Sequence, residues 1–374
     1  MKKILHIPNY YNPHIGGIEQ TCEDIVNSLK DNDVEQRIIC FKDAAHSELD
    51  KVDDIDVVRV GCQIKVASQS LAWSYKKYLK SEFEEYKPDI VIFHYPNPYV
   101  AHFLLPFLRK NKNVKFILYW HLDITKQKII GKLFDHQNLE LLNRADKIVS
   151  TSELYAKNSK FLPNFMDKVV IIPSCVSIRN VDKDELNKAI LKIKEENKDK
   201  KIVFSFGRHV EHKGFQHLIE AAKMLPEYNF YLGGKGPYTD ELKNKACGLS
   251  NFKFLGKLDN IDLEAYLNAS DVFAFPSVTK AEAYGLALAE ALMHGCPAVT
   301  FSIKGSGVNF VSVNKITGLE VENANSKAFA EAIKKILSDD ELRNKYSREA
   351  KQRAYSLLSF EAFKENINNL INNM

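Results

Sequence analysis

The sequence lacks most of the features that would place it in a class at sight. Its six cysteines, Cys22, Cys40, Cys62, Cys175, Cys247 and Cys296, form no C-x-x-C pair and no Cys/His cluster at zinc spacing. Most lie in apolar stretches, which reads as buried thiols in a reducing compartment. No apolar run approaches the roughly 18 to 20 residues that a spanning helix needs. The first apolar run, Ile4-Leu5-His6-Ile7, is far too short for a signal-peptide core and reads as a β-strand, so a cytoplasmic chain is expected. An excess of one charge is missing too. Lys and Arg number 52 against 48 Asp and Glu, a net +4 shared evenly by the two halves. That balance speaks against a nucleic-acid partner, which would draw a basic face.

What is present is ordinary globular material: 374 residues, 45% apolar and 27% charged. At roughly 150 residues per domain the length predicts two domains, each large enough for its own core. Apolar strands alternate with helical stretches. In the first half strands are expected at 3–7, 36–41, 56–60, 89–94, 115–120, 146–151 and 168–172, with helices at 19–30, 71–86 and 134–143. Solidly apolar runs such as Ile90-Val91-Ile92-Phe93 point to a parallel sheet covered on both faces. From Arg179 to Lys201 the chain turns polar and charged, a solvated helix or linker. The alternation then restarts, with strands at 202–206, 229–232, 252–255, 272–275, 298–301 and 318–321, and ends in a helical tail. The expected fold is α/β, two Rossmann-like doubly wound domains facing a central cleft. Residues 1–177 form the first, 178–355 the second, and a C-terminal helix, 356–374, packs back on the first. Such sheets bind ligands at the carboxyl ends of their strands.

The residues at those ends carry the chemistry. After the first strand, Gly16-Gly17-Ile18-Glu19 opens a helix, where bare N–H groups favour an anion; the spacing alone fits a glycine hinge equally well. The second half begins with Gly207-Arg208 and then Lys213-Gly214, a fork and a mobile point charge that can converge on a diphosphate. Taken alone, this pair reads first as an ordinary surface loop. Gly233-Gly234-Lys235-Gly236-Pro237 is a glycine-rich turn without the G-x-G-x-x-G frame. In Glu282-Ala283-Tyr284-Gly285-Leu286-Ala287-Leu288-Ala289-Glu290, Gly285 opens a helix whose first N–H groups are unpaired. Glu290, within an apolar stretch, needs a partner such as ribose hydroxyls, or else lies at the surface. In the first half, His121-Leu122-Asp123-Ile124-Thr125-Lys126-Gln127-Lys128 follows a strand and gathers groups suited to a hydroxylated or phosphorylated substrate. His94 ends another strand in the same way; a lone histidine there is usually a hydrogen-bonding residue.

Together these motifs, in order and spacing, resemble those of glycosyltransferase family 4, retaining nucleotide-sugar-dependent enzymes of the two-Rossmann GT-B type. The resemblance runs from about residue 3 to 360. The H-x-D-I-x-K-Q-K segment at 121–128 and Thr151-Ser152-Glu153-Leu154-Tyr155 resemble bacterial polysaccharide members. The resemblance implies that Arg208 and Lys213 hold the donor diphosphate and stabilise its charge as it leaves. It places Glu290 on the ribose, Glu282 beside the donor sugar, and the backbone of Gly285, Leu286 and Ala287 against sugar and phosphate. Gly234 and Pro237 belong to the donor turn, and Lys257 and Leu258 lie near the base. Gly16 and Gly17 approach the diphosphate, and His121 approaches the sugar. Glu282, His121, Arg208 and Lys213 are the catalytic candidates; Glu19, Asp123, Lys126 and Lys128 are assigned to the acceptor. Tyr284 stands where many members have Phe, and Pro173-Ser174-Cys175-Val176-Ser177 replaces the common P-N-G-V-D.

The implied activity is transfer of a hexosyl group from a nucleotide-diphosphate sugar to a saccharide or polyprenyl-diphosphate-linked acceptor, in bacterial surface polysaccharide (O-antigen or capsule) synthesis. UDP-sugar is mildly favoured over GDP-sugar by family habit, with no further cofactor. No D-x-D motif sits at a strand end to hold a metal, and two cations plus helix-terminal N–H groups can supply the electrostatics instead. The alternatives are a nucleotide-sugar epimerase of the same fold and a non-catalytic donor-binding or scaffolding homologue. Residues 101–112 join an apolar run to a basic end. That suits either a helix lying on the inner membrane surface or a sheet-packed helix with a basic C-terminus.

Overall fold

A computed structural model describes residues 1–14, 16–66, 69–124 and 134–374, with the side chain of Val66 outside that set. The chain divides into two compact units, Met1–Pro173 with Phe363–Met374, and Ser174–Ala362. In the first, the strands are β1 (Lys2–Ile7), β2 (Val34–Lys42), β3 (Glu48–Val52), β4 (Ile55–Gly61), β5 (Ile64–Val66), β6 (Gln69–Leu71), β7 (Ile90–Tyr95), β8 (Lys115–Trp120), β9 (Lys147–Ser150) and β10 (Val169–Ile171). Eight of them form one sheet in the order β10-β9-β8-β7-β1-β2-β4-β3. Every pairing in it is parallel except β3 with β4, and β5 and β6 make a separate hairpin. Starting at β1, the chain first builds outward through β2 and β4, then returns to the other side of β1 with β7. The order therefore reverses between β1 and β7, the place where open α/β sheets leave a crevice at their strand ends.

The second unit repeats the logic with β11 (Ile202–Phe206), β12 (Asn229–Gly233), β13 (Phe252–Gly256), β14 (Val272–Phe275), β15 (Ala298–Phe301) and β16 (Gly318–Val321). The order is β13-β12-β11-β14-β15-β16, all parallel, with its reversal between β11 and β14. Phe204, Phe230 and Phe273, on three of its four inner strands, are fully buried, as both-face coverage requires.

The solidly apolar strands fall where the sequence places them. The departures lie at the edge of the first sheet. β3 reads Glu-Leu-Asp-Lys-Val with no fully buried residue, so hydrophobic pattern does not reveal it. Leu71, expected to begin a helix, belongs to the β5–β6 hairpin, and the helix starts at Tyr75. The polar stretch 179–201 forms helix Lys183–Glu196, capped by Asp182 and buried at Ile193 within the second unit. The final helix, Phe360–Asn372, buries Phe363, Ile367, Leu370 and Ile371. Lys364 pairs with Asp31 at 2.6 Å and Lys2 Nζ donates to the Ile371 carbonyl at 3.1 Å, which ties this helix into the first unit.

The apolar run at 101–112 is helix Pro98–Lys110. Its Val100, Ala101, Leu104, Leu105 and Leu108 are buried in the unit's own core, and Arg109 pairs with Glu140. Core packing with a basic C-terminus accounts for this segment. No helix among the described residues is long and apolar enough to cross a membrane.

Candidate active site

In the second unit the loops after β11, β12 and β14 abut one another because glycines let them. Gly234 has φ +105°, and a Cβ there would overlap the Gly207 carbonyl oxygen; a Cβ on Gly236 would overlap that of His209. The backbone is stitched by Gly207 N–H to Gly233 O at 3.2 Å and His209 N–H to Lys235 O at 3.1 Å. Arg208, between them, is exposed, as are Pro237 and Lys257, while Leu258 lies half-buried over Gly233. Gly214, at φ +64°, ends the short turn Glu211–Lys213 and sits so close to Pro276 that a side chain would strike the Pro276 carbonyl. That contact brings Lys213 to the end of β14. Its ammonium pairs with a Glu282 carboxylate oxygen that also accepts from Ser277 Oγ at 3.1 Å, and it lies 5.2 Å from the centre of the Phe275 ring. Lys213 and Glu282 are mostly buried, so this pair is screened far less than one in open water.

Gly285, at φ +96°, starts helix Leu286–Met293. Its carbonyl accepts from Leu288 and Ala289, and the N–H groups of Leu286 and Ala287, first donors of the helix, have no backbone partner among the described residues. Ser306 Oγ donates to the Glu282 carbonyl and Gly307 N–H to that of Ala283 at 2.8 Å, fixing the loop before the helix. The structure thus brings together Lys213, Glu282 and the N-terminus opened by Gly285.

Glu290, further along that helix, already has a protein partner, and sequence reasoning did not find it. Arg179 Nη2 donates to Glu290 Oε2 at 2.6 Å, while Arg179 Nη1 and N–H both reach Glu264 Oε1 at 3.1 Å. Glu264 is fully buried and its other oxygen faces His294 Nε2 at 2.6 Å. Burial alone would raise the Glu264 carboxyl; the bonds from His294 and Arg179 outweigh it and hold the pKa below the usual range. Arg179 lies in the stretch that composition marks as polar connection, and nothing in its immediate sequence singles it out. Tyr284, the residue that departs from Phe, uses its hydroxyl: it donates to the Ser174 carbonyl at 2.9 Å. The two departures from the common pattern are therefore one contact.

In the first unit Gly16 caps helix Gly17–Ser28. Glu19 folds back so that a Cβ on Gly16 would overlap its carboxylate, and burial raises the Glu19 pKa. His121 is buried with its Nε2 at 3.0 Å from His94 Nδ1 and its ring 4.7 Å from that of Tyr119; desolvation pushes it down to about 3, so it stays neutral. Asp123, assigned to the acceptor, is turned into the fold. Its Oδ1 accepts from the Trp120 indole at 3.0 Å and Ser159 Oγ at 2.8 Å, and its Oδ2 from Lys160 N–H at 3.0 Å. That arrangement holds the loop after β8 rather than offering a carboxylate to solvent. Lys126 and Lys128 lie outside the described residues.

Two family profiles match successive parts of the chain. "Glycosyltransferase Family 4" covers residues 15–179 and "Glycosyl transferases group 1" covers residues 187–353. Among curated proteins, the O-antigen chain mannosyltransferase C of Escherichia coli is 26% identical over 94% of this chain and 93% of its own. The D-rhamnosyltransferase WbpZ of Pseudomonas aeruginosa is 26% identical over 96% of this chain and 92% of its own. Among solved structures, Anabaena HepE in complex with UDP shares the fold with a TM-score of 0.79 and 18% identity, over all of both chains. The sucrose-phosphate synthase of Thermosynechococcus elongatus does so at 0.77, also at 18% identity, over all of this chain and 99% of its own.

Proposed function

Because the chain belongs to glycosyltransferase family 4 and has the two Rossmann-like units of a GT-B glycosyltransferase, we propose that it transfers a hexosyl group, with retention, from a nucleotide-diphosphate sugar to a saccharide acceptor of a bacterial surface polysaccharide. One observation carries the reading: Lys213, Glu282 and the helix opened by Gly285 converge at the strand ends of β11 and β14. A diphosphate there meets the Lys213 ammonium, the exposed guanidinium of Arg208 and the N–H groups of Leu286 and Ala287. All are aimed at charge that grows on the leaving phosphate. Glu290 takes the ribose hydroxyls, with Arg179 sharing its carboxylate.

The chemistry that follows is a displacement on one face of the sugar. As the bond from the anomeric carbon to the phosphate oxygen breaks, the freed oxygen takes the proton of the acceptor hydroxyl, whose oxygen forms the new bond. Lys213 and Arg208 stabilise the departing diphosphate without any further cofactor. Glu282, held by Lys213 and Ser277, orients the sugar rather than attacking it. The acceptor is a saccharide, free or joined to a polyprenyl diphosphate. The named relatives, an O-antigen mannosyltransferase and a rhamnosyltransferase, set the polysaccharide context.

The test is a thermal-shift panel of UDP-, GDP- and dTDP-sugars on the wild type and Lys213→Ala. One nucleotide class should raise the melting temperature of the wild type, since ligand that binds only the folded state stabilises it. The variant should show a smaller shift. No shift with any nucleotide sugar at millimolar concentration overturns the donor assignment, and conversion of the donor to its epimer without an acceptor would make the protein an epimerase.

A further inference from the structure

A diagonal of polar side chains crosses the first sheet on one face. In the parallel register Gln36 of β2 stands opposite Ile4, His6 of β1 opposite Ile92, and His94 of β7 opposite Tyr119. Residues directly opposed or two apart along a strand share a face. Gln36, His6, His94 and His121 therefore form a staircase, each two residues further along its strand than the last. The hydrogen bonds fix most of the protons on it. Gln36 Nε2 donates to the Val26 carbonyl at 3.1 Å, which leaves Gln36 Oε1 as acceptor for His6 Nε2–H at 3.0 Å. His6 Nδ1 then carries a lone pair, and it is buried with no hydrogen-bond partner among the described residues. His94 Nδ1 is engaged by His121 Nε2 at 3.0 Å, and His94 Nε2 is likewise buried with no partner.

The staircase breaks between His6 and His94, and helix Gly17–Ser28 sets the fully buried Cys22 over the break. His6, Cys22 and His94 each offer one ligand atom, and these atoms lie within 4.8 Å of one another. With His94 in the form that donates from Nδ1 to His121, two lone pairs face the thiol, whose one proton can satisfy only one of them. A cation satisfies both nitrogens and the sulfur at once.

We propose that His6 Nδ1, His94 Nε2 and Cys22 Sγ are the protein ligands of a buried site for a borderline-soft divalent cation of the zinc type. Two imidazoles and a thiolate are the donors such an ion prefers. Each histidine is backed on its other nitrogen, by Gln36 and by His121, as ligating histidines usually are. Binding releases the Cys22 proton to solvent and forms the metal–sulfur bond in its place. The ion pins the helix opened by Gly16 and Gly17 to β1 and β7. It also holds His94 in the form that donates from Nδ1 to His121. This site belongs to the first unit and is separate from the cations assigned to the donor diphosphate.

The test uses the full chain, stripped with chelator and titrated with Co²⁺ as the probe. One equivalent should bind and give a thiolate-to-cobalt charge-transfer band. Cys22→Ser should abolish the band, and Gln36→Leu, which removes only the support behind His6, should weaken binding at least tenfold with the fold intact by circular dichroism. X-ray absorption of zinc-loaded wild type needs no variant and should show one sulfur near 2.3 Å beside nitrogens at about 2.0 Å. A shell without sulfur, no retained metal, or a cobalt band unchanged in Cys22→Ser, as exposed Cys247 would produce, overturns the proposal.

Discussion

The phenolic oxygen of Tyr155 accepts the backbone N–H of Asp123 at 2.6 Å, and both residues are buried. Ser152 caps the helix that carries Tyr155, its Oγ accepting from Tyr155 N–H at 3.1 Å. The T-S-x-x-Y segment is thus a bracket that holds the loop bearing His121 and Asp123. Tyr155→Phe leaves a buried amide N–H without an acceptor and should destabilise the first unit by about 1–3 kcal/mol. Urea unfolding of the variant against the wild type measures it; equal midpoints would show that the bracket does not carry the loop.

That bracket shows where sequence reasoning stops. Both motifs are visible in the chain, because strand ends and caps leave short-range patterns, but their contact spans 32 positions and has no local signature. The same holds across the fold. Parallel central strands such as that of Ile90-Val91-Ile92-Phe93 announce themselves by an unbroken apolar run, whereas the edge strand Glu48–Val52, half exposed and charged, does not. Among site residues, those on glycine-marked turns (Gly16, Gly207, Gly214, Gly234, Gly285) are legible because backbone geometry demands glycine at most of them. Arg179, Glu264 and His294 are held together only by tertiary packing. His6, Cys22 and His94 come from three elements, so ligand spacing along the chain cannot show them.

Arg179 is the partner on which two carboxylates depend. Replacing it with Met leaves Glu264 fully buried with His294 and the backbone N–H of residue 179 but without the guanidinium, and frees Glu290. Removing one member of a buried ion pair strands the other's charge. Arg179→Met should therefore cost about 3 kcal/mol, and Glu264→Gln in the same chain should restore part of it. Denaturant unfolding of the two single variants and the double variant gives the coupling; strictly additive losses would mean that the pair is not a unit.

The same cluster sets a pH dependence. The Glu264 carboxyl is held below its usual range in the folded chain, so as the pH falls the unfolded chain takes up this proton first. Stability from Glu264 is complete above the ordinary glutamate range and is lost as the pH drops through that range toward the folded value. Melting temperatures measured between about pH 6 and 3 should fall less steeply for Glu264→Gln than for the wild type, after allowing for its lower starting stability. Parallel curves would remove Glu264 from the acid-sensitive groups.

Lys213 is where fold and reaction separate most cleanly. Its ammonium is held by Glu282 and by the Phe275 ring, and its backbone is fixed by Gly214 against Pro276. Removing the side chain leaves the turn intact and Glu282 with Ser277 as a partner, so the chain should stay folded, at a cost in stability for the carboxylate left without its cation. Transfer should suffer far more, because a preorganised charge aimed at the leaving group is typically worth about 100- to 1,000-fold in kcat. Lys213→Ala should fall in kcat by about that factor, while Glu290→Gln should chiefly raise the KM for the donor by weakening the grip on ribose. Steady-state kinetics with the nucleotide sugar selected by thermal shift separates the two effects. Full activity in Lys213→Ala would remove this residue from the reaction and return Glu282 to the part of an ordinary buried carboxylate.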